Sequence, residues 1–311
     1  MADILSTIGP TTENIKNLKK IVTKTKFVRL NGAHNNLKWH YKICKLIKKL
    51  NPNCKILIDL PGIKPRTMNS KEVLIKKNEK VMFLFGKKNS KNIKKIQISK
   101  PLPNFKKPKN FSVSDGKYIF KFVSRGKNYV IGKSNESFIL KNKKGLNIPH
   151  SIYDNKFQER VYLKFLKKIE KFQFDAIGLS YVQNHHLVNK MRLRSDKIIV
   201  SKIENEQGCK NLNLICKNSD IIMIDRGDLA AEIGDNNLYN QTIKISKCTK
   251  SYGKLLIMAT ENLETMIFNN APTKSEIISL SFSKSLNVDY LMLSDETATS
   301  NKFLKTINWL K

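Results

Sequence analysis

The stretch "KIIVSKIENEQG", residues 197–208, decides the fold. It opens as a buried strand should, with Ile198, Ile199 and Val200 forming an apolar run. Lys202 and Glu204 then follow two apart, so a period-2 strand puts both on the same face as Val200. If that face is interior, two charges stand where uncompensated charge is expensive. Other segments must bring groups that offset them.

Seven further runs have the same apolar, β-branched character: "DILSTI", "KFVRLN", "CKILIDL", "DAIGLSYV", "DIIMIDRG", "KLLIMAT" and "DYLMLS". Between most of them lie amphipathic, Lys-rich segments at 11–24, 36–50, 155–172, 184–195, 206–217, 235–251 and 273–286. Near-continuous apolar strands separated by helices imply a parallel sheet buried on both faces. Eight such units predict an α/β fold closed as a (β/α)8 TIM barrel. From about residue 65 to 148 the helical period disappears. There "EVLIKK", "KVMFLFG", "KYIFKFV", "NYVIG" and "SFILKN" read as short antiparallel strands split by turns such as "KPLPNFKKPKN". The expected organisation is a barrel over 1–64 and 149–311, with a small all-β lid domain of 65–148 inserted after the third strand. "KFLKTINWLK" is expected to be the last barrel helix, with Phe303, Ile307 and Leu310 facing the core.

Composition narrows the class. The 311 residues carry 58 Lys+Arg against 25 Asp+Glu, a formal charge of +33. Such a charge can signal nucleic-acid binding. Here the lysines are spread along the chain beside abundant Asn and Ile, a pattern that coding bias also produces. No nucleic-acid motif or aromatic-interleaved basic stripe accompanies them, so nucleic acid is not the expected partner. No apolar run reaches the ~18 residues of a membrane span. The N-terminus lacks a signal-peptide pattern, and the five scattered cysteines lack CxxC spacing. Together these suggest a cytoplasmic protein with reduced thiols and no zinc site.

In barrel enzymes the site lies at the C-terminal mouth of the strands. The second strand ends with Arg29, Asn31 and His34, the third with Asp59, and the fifth with Lys202 and Glu204. The sixth runs into Arg226, Gly227 and Asp228, and the seventh ends at Thr260. Glu204 and Asp228 are hard oxygen ligands suited to Mg²⁺ or Mn²⁺. Arg29 and Lys202 add positive charge beside them, which suits a phosphate-bearing, acidic substrate. Phosphoryl transfer needs this arrangement, because catalysis there is mostly positioning and charge neutralisation.

These residues also sit within recognisable motifs. "STIGP", "VRLNGAH", "IDLPGIKPRT", "SDG", "NKKGLNIP", "GLSYVQ", "VSKIEN", "DRGDLAAE", "MATENLETM", "APTKSE" and "MLSDETA" resemble the pyruvate kinase family, in order and throughout the chain. The resemblance implies transfer of the phosphoenolpyruvate phosphoryl group to ADP, giving pyruvate and ATP. Arg29 and Lys202 would then bind the transferring phosphoryl, with Lys202 stabilising the transition state. Glu204 and Asp228 would hold the divalent metal, and the amides of Gly227 and Asp228 the substrate carboxylate. Ser180 would line the substrate pocket, and Thr260 would lie near the carbon that is protonated. Asn31, His34, Arg66 and Lys144 would face the nucleotide phosphates.

Departures from the family pattern carry expectations of their own. Its K⁺ site uses four oxygen-bearing residues. Asn31 and Asp59 remain as a remnant, whereas Ala33 and Leu60 offer no side-chain oxygen. Lys64 stands where the family usually has glutamate and could put an ammonium in the ion's place, so K⁺ is expected not to be required. Gly32, Asp225, Glu261, Asn262, Lys274, Phe282 and Asp295 also differ from the usual residues and could shift the substrate or weaken turnover. The family's C-terminal α/β effector domain is expected to be absent, leaving a monomer or homodimer in place of the usual tetramer. Two alternatives stay open. One is another metal-dependent lyase or transferase on the same phosphoenolpyruvate/pyruvate type of barrel. The other is a degenerate, non-catalytic binding relative.

Overall fold

The computed structural model describes residues 2–86 and 93–311. Met1 and residues 87–92, which the expected barrel and inserted segments include, lie outside the described residues. The chain begins β1 (Asp3–Thr7), α1 (Ile15–Val22), β2 (Phe27–Asn31), α2 (Leu37–Leu50) and β3 (Lys55–Leu60). A run of strands without helices follows: β4 (Val73–Ile75), β5 (Lys80–Leu84), β6 (Lys94–Gln97) and β7 (Asn110–Val113). It continues with β8 (Tyr118–Gly126), β9 (Tyr129–Ser134), β10 (Phe138–Leu140) and β11 (Leu146–Asn147). Alternation then resumes with α3 (Asn155–Ile169), β12 (Ala176–Leu179), α4 (His185–Arg192), β13 (Ile198–Ile203), α5 (Glu206–Lys210) and α6 (Leu212–Asn218). β14 (Ile221–Asp225), α7 (Arg226–Ile233), α8 (Asp235–Ser251), β15 (Leu255–Ala259) and α9 (Lys274–Ser285) come next. The chain closes with β16 (Tyr290–Leu293), α10 (Asp295–Ala298) and α11 (Phe303–Trp309).

Eight strands close into a parallel barrel in the order β1-β16-β15-β14-β13-β12-β3-β2. Each is the middle of one of the eight apolar runs. Alternation along β13 divides its side chains: Val200 packs inside the barrel with Leu5, Phe27, Leu57, Met223 and Ile257. Ile199 and Ile203 face outward into a second cluster with Leu18, Ile43, Ile47 and Tyr162 of the helical ring. Each such side chain, fully buried, contributes roughly 1.5–3 kcal/mol. In α11, Phe303 and Ile307 are buried in this outer cluster and Leu310 packs against it. Side-chain caps start several helices where the sequence turns from strand to helix. The Asn205 side chain accepts from Gly208 N–H at 2.8 Å, and Thr273 with Glu276 forms a capping box on α9.

Between β3 and α3 the strands form a six-stranded sheet, β11-β7-β8-β9-β5-β6, and a two-stranded pair, β10-β4. They enclose their own apolar cluster around Val81, Phe83, Phe111, Phe120 and Val130. This β module joins the barrel through a narrow neck, where Thr67 N–H donates to Lys144 O at 2.8 Å and Leu146 N–H to Pro65 O at 2.9 Å. Its pairing is antiparallel except for β5–β6, which runs parallel. A parallel neighbour needs a long connection in place of a tight turn. The strands β6, β7 and β11 are short and lie among Lys and Pro residues, so they gave little periodic signal. Among the described residues no helix is long and apolar enough to cross a membrane.

Candidate active site

The alternation that buries Val200 also points the Lys202 side chain into the barrel, above the apolar layer. The same register places Arg29 over Phe27 on β2, Asp59 over Leu57 on β3, and Asp225 over Met223 on β14. One polar layer therefore caps the barrel interior at the C-terminal ends of its strands. Gly178 of β12 completes the layer opposite Asp59. A Cβ at Gly178 would stand 2.2 Å from Asp59 Oδ1, so the missing side chain makes room for the carboxylate.

Lys202 is 4% exposed and its ammonium lies among three acids. Glu204 Oε1 is at 2.8 Å, Asp59 Oδ2 at 3.3 Å and Asp225 Oδ2 at 3.4 Å. Burial opposes its charge, but Asp59, Glu204 and Asp225 outweigh that and hold the lysine above its ordinary pKa. Arg29 donates from Nε and Nη2 to the same Asp59 oxygen at 3.0 and 2.8 Å. Burial would raise the Asp59 carboxyl, yet Arg29 and Lys202 together keep it below the usual carboxylate range. Asp59 Oδ1 has no hydrogen-bond partner among the described residues.

Carboxylate oxygens of Glu204, Asp225 and Asp228 come within 4.8 Å of one another. Glu204 Oε2 also accepts from Tyr181 N–H at 2.6 Å, an amide aimed by the left-handed backbone of Tyr181 at φ 60°. Burial, despite Lys202, and the neighbouring Asp225 and Asp228 charges push Glu204 up to about 8. Such mutual repulsion among hard oxygens is what a divalent cation relieves, so the donor set fits Mg²⁺ or Mn²⁺. Four carboxylates (Asp59, Glu204, Asp225, Asp228) here face three cations (Arg29, Lys64, Lys202). With Glu204 protonated the charges balance, and ionising it as an ion binds leaves a surplus of one negative charge for the cation to neutralise.

Asp228 stands in the first turn of α7, and burial fails to raise it because Lys64 holds its carboxyl down to about 2. Lys64 itself is 3% exposed and bonded to Asp228 Oδ1, with Asp115 Oδ1 at 2.7 Å. This differs from the expectation that its ammonium fills a site beside Asn31 and Asp59. The Asn31 side chain instead accepts from Ala33 N–H at 3.1 Å, shaping the loop after β2. Asp59 gives its one bonded oxygen to Arg29 and Lys202.

Thr260 follows β15 with φ 62°, and Glu261 and Leu263 are also left-handed, so this rim loop is strained. The Thr260 hydroxyl accepts from Gly227 N–H at 3.0 Å and donates to Ala259 O at 2.7 Å. The Gly227 amide, expected to be open to a substrate carboxylate, is thus covered by Thr260. Arg226 does not join the rim cations. It is buried under the loop, where it donates to Thr260 O, Asn262 Oδ1 and Ser279 Oγ, and burial lowers its pKa. Ser180 is buried beside the mouth and donates to Leu60 O at 3.1 Å. His34 lies exposed on the β2 loop, its pKa lowered by desolvation and by Arg66, Arg29 and Lys143. At the neck Arg66 donates to Lys143 O at 3.0 Å and bridges to Gly145, while Lys144 O accepts from Thr67 N–H at 2.8 Å. Hence His34, Arg66 and Lys143 share one positive field above the polar layer.

Two residues escaped the reading of the sequence as participants. Asp225 was noted only as a departure from the family pattern, although the spacing Ile221, Met223, Asp225 already sets it on the interior face. Asp115 lies 51 positions from Lys64, and no local pattern announces that contact.

Comparison with known proteins agrees with this geometry. The family described as "Pyruvate kinase, barrel domain" matches residues 1–307. A pyruvate kinase of Methanocaldococcus jannaschii is 29% identical over 99% of this chain and 67% of its own length. Those of Thermoplasma acidophilum and Thermotoga maritima are each 28% identical over 99% of this chain, covering 56% and 69% of the relatives. The chain thus spans between just over half and about two thirds of the length of these relatives. Because the family's barrel-domain model matches residues 1–307 of the 311, the chain belongs to the pyruvate kinase family.

Proposed function

We propose that the protein transfers the phosphoryl group of phosphoenolpyruvate to ADP, yielding pyruvate and ATP. The observation that carries this reading is the Lys202 ammonium, buried at the barrel mouth among Asp59, Glu204 and Asp225. A lysine so placed stays charged and can neutralise phosphoryl oxygens as they leave one acceptor for another. Arg29, fixed by two hydrogen bonds to Asp59, would bind the same phosphoryl group from the neighbouring strands. Ser180 would line the substrate pocket. The substrate carboxylate would take the Gly227 and Asp228 amides, with Gly227 released from the Thr260 hydroxyl that now covers it. Thr260, freed in the same exchange, would stand near the carbon that receives a proton once the enol is formed.

Glu204 and Asp228 would hold a bound Mg²⁺ or Mn²⁺, with Asp225 adjacent; the ion supplies Lewis-acid neutralisation of the enol oxygen and carboxylate. Asn31, His34, Arg66 and Lys144 would receive the nucleotide phosphates, where the shared positive field of Arg66, Arg29 and Lys143 favours them. The β module would act as a lid, excluding water from the reactive phosphoryl. K⁺ would not be required, since Ala33 and Leu60 lack ligand atoms and Asp59 is already engaged by Arg29 and Lys202.

The test is direct. Purified protein with Mg²⁺, phosphoenolpyruvate and ADP is expected to form pyruvate and ATP in equal amounts, and neither when ADP is omitted. Pyruvate released without ADP, or no pyruvate with it, contradicts the proposal.

A further inference from the structure

Cys216 and Cys248 stand 32 positions apart, without the close spacing that marks a redox motif, yet the fold brings their sulfurs together. Cys216 lies on α6 and is fully buried, whereas Cys248 lies on α8 and is half-buried. The two Sγ atoms are 3.7 Å apart. Each has a neighbour that fixes it. Cys248 Sγ lies 3.1 Å from Asn213 Oδ1. The Thr249 hydroxyl gives its proton to Ile245 O at 2.7 Å, which leaves its oxygen to accept from the Cys216 thiol at 3.9 Å. Both cysteines are free thiols, and a disulfide needs an S–S separation of about 2 Å. The remaining gap is smaller than the sweep of a cysteine side chain between rotamers. From Cys216 the chain runs through β14 and α7 to α8, so a bond here closes a loop whose middle carries Asp225 and Asp228.

We propose that Cys216 and Cys248 are a redox-sensitive pair, oxidised to a disulfide by a low-molecular-weight disulfide, and that the bond braces the segment presenting Asp225 and Asp228. The half-buried Cys248 reacts first. Its thiol loses a proton to solvent, and the thiolate attacks one sulfur of the small disulfide. That S–S bond breaks, and the departing thiolate takes up a proton. Cys216 then loses its proton and attacks Cys248 Sγ, which expels the second small thiolate. Two protein thiols are oxidised, and one small disulfide is reduced to two thiols. The order follows from accessibility and acidity. Burial and the neighbouring Cys248 sulfur push the Cys216 thiol up to about 12, which makes it a poor first nucleophile. Once Cys248 carries the mixed disulfide, proximity compensates for that weakness. The pair takes no part in phosphoryl transfer, and the inference stands apart from that reading.

The test uses oxidised glutathione as the small disulfide. The unaltered protein, incubated with it at about pH 8 and then unfolded, is expected to lose two of its five free thiols to titration. Peptide mapping should show one linkage, between Cys216 and Cys248, and no retained glutathione. The oxidised protein should melt at least about 4 °C higher, because closing a loop of this length restrains the unfolded chain. Backbone hydrogen exchange over residues 221–233 should slow, and dithiothreitol should reverse every change. Cys216→Ala is expected to stop at the mixed disulfide on Cys248, with no rise in melting temperature. Cys248→Ser should lose no thiol, while Cys209→Ser should oxidise as the unaltered protein does. A melt of each reduced variant establishes that it is folded. Five titratable thiols after incubation, a mixed disulfide that persists in the unaltered protein, or a linkage through another cysteine overturns the pair. A Cys216–Cys248 bond with unchanged melting and exchange overturns the bracing role.

Discussion

The ammonium of Lys202 lies 2.8 Å from the carboxylate of Glu204, two residues further along the same strand. Two charges at period-2 spacing share a face, and both are buried. The pair is not self-sufficient. Asp59 and Asp225 add negative charge, Arg29 adds positive charge, and the layer is stable only as a set. Removing one member leaves the others buried without compensation, which is costlier than removing an exposed pair.

Asp59→Asn tests that dependence. It leaves Arg29 and Lys202 sharing fewer acids, and we expect a loss of about 3–5 kcal/mol in unfolding free energy by urea titration. A change within ~0.5 kcal/mol, the range of ordinary surface substitutions, would mean the layer is not cooperative.

Stability without metal should depend on pH through Glu204. Its folded value of about 8 stands above the ordinary 4.5, so the folded state binds the extra proton between those limits. The contribution is full below about 4.5 and is lost as pH rises through about 8. Melting temperature of chelator-treated protein should therefore fall across this window, and Glu204→Gln should flatten the fall. Adding Mn²⁺, which favours the carboxylate, should reverse it most at high pH. An identical pH profile in Glu204→Gln would remove Glu204 as the cause.

Replacing K⁺ with tetramethylammonium in a pyruvate-forming assay should leave the rate unchanged. A collapse of the rate would show that a monovalent ion is needed despite Ala33 and Leu60.

Excising residues 66–146 and bridging the ends with Gly-Ser should leave the barrel folded, since β3 and β12 pair directly through Asp59 and Gly178. Turnover should fall by about a thousandfold or more, as positioning and water exclusion are lost. Retained turnover would deny the β module any part in catalysis.

What could be read in the sequence follows from the range of the forces involved. The barrel was legible because each strand announces itself locally: Ile199, Val200 and Ile203 are apolar whichever face they take, and Asn205 and Thr273 mark helix starts in place. The interior face of Lys202 was legible from period two alone, and Arg29, Asp59, Glu204 and Asp228 followed as residues at strand ends. Long-range pairing was not legible. That Lys64 would choose Asp115 and Asp228 over the neighbourhood of Asn31 depends on how the module turn meets α7, and no spacing encodes that. The covering of Gly227 N–H by Thr260 was hidden likewise, because it arises from the left-handed backbone at Thr260, a residue type that rarely adopts it. In the module, the parallel β5–β6 pair went unseen because a strand of Lys94, Lys95, Ile96 and Gln97 has only one apolar side chain to reveal it.

The most direct test of the account is the rate of phosphoryl transfer in Lys202→Met, with Mg²⁺, phosphoenolpyruvate and ADP at saturation. The side chain keeps most of its volume and loses only its charge. The account predicts a folded protein that still binds Mn²⁺ and whose pyruvate formation falls by at least about a hundredfold to a thousandfold, the scale for removing a preorganised electrostatic group. A variant forming pyruvate within a few-fold of the unaltered protein would contradict it.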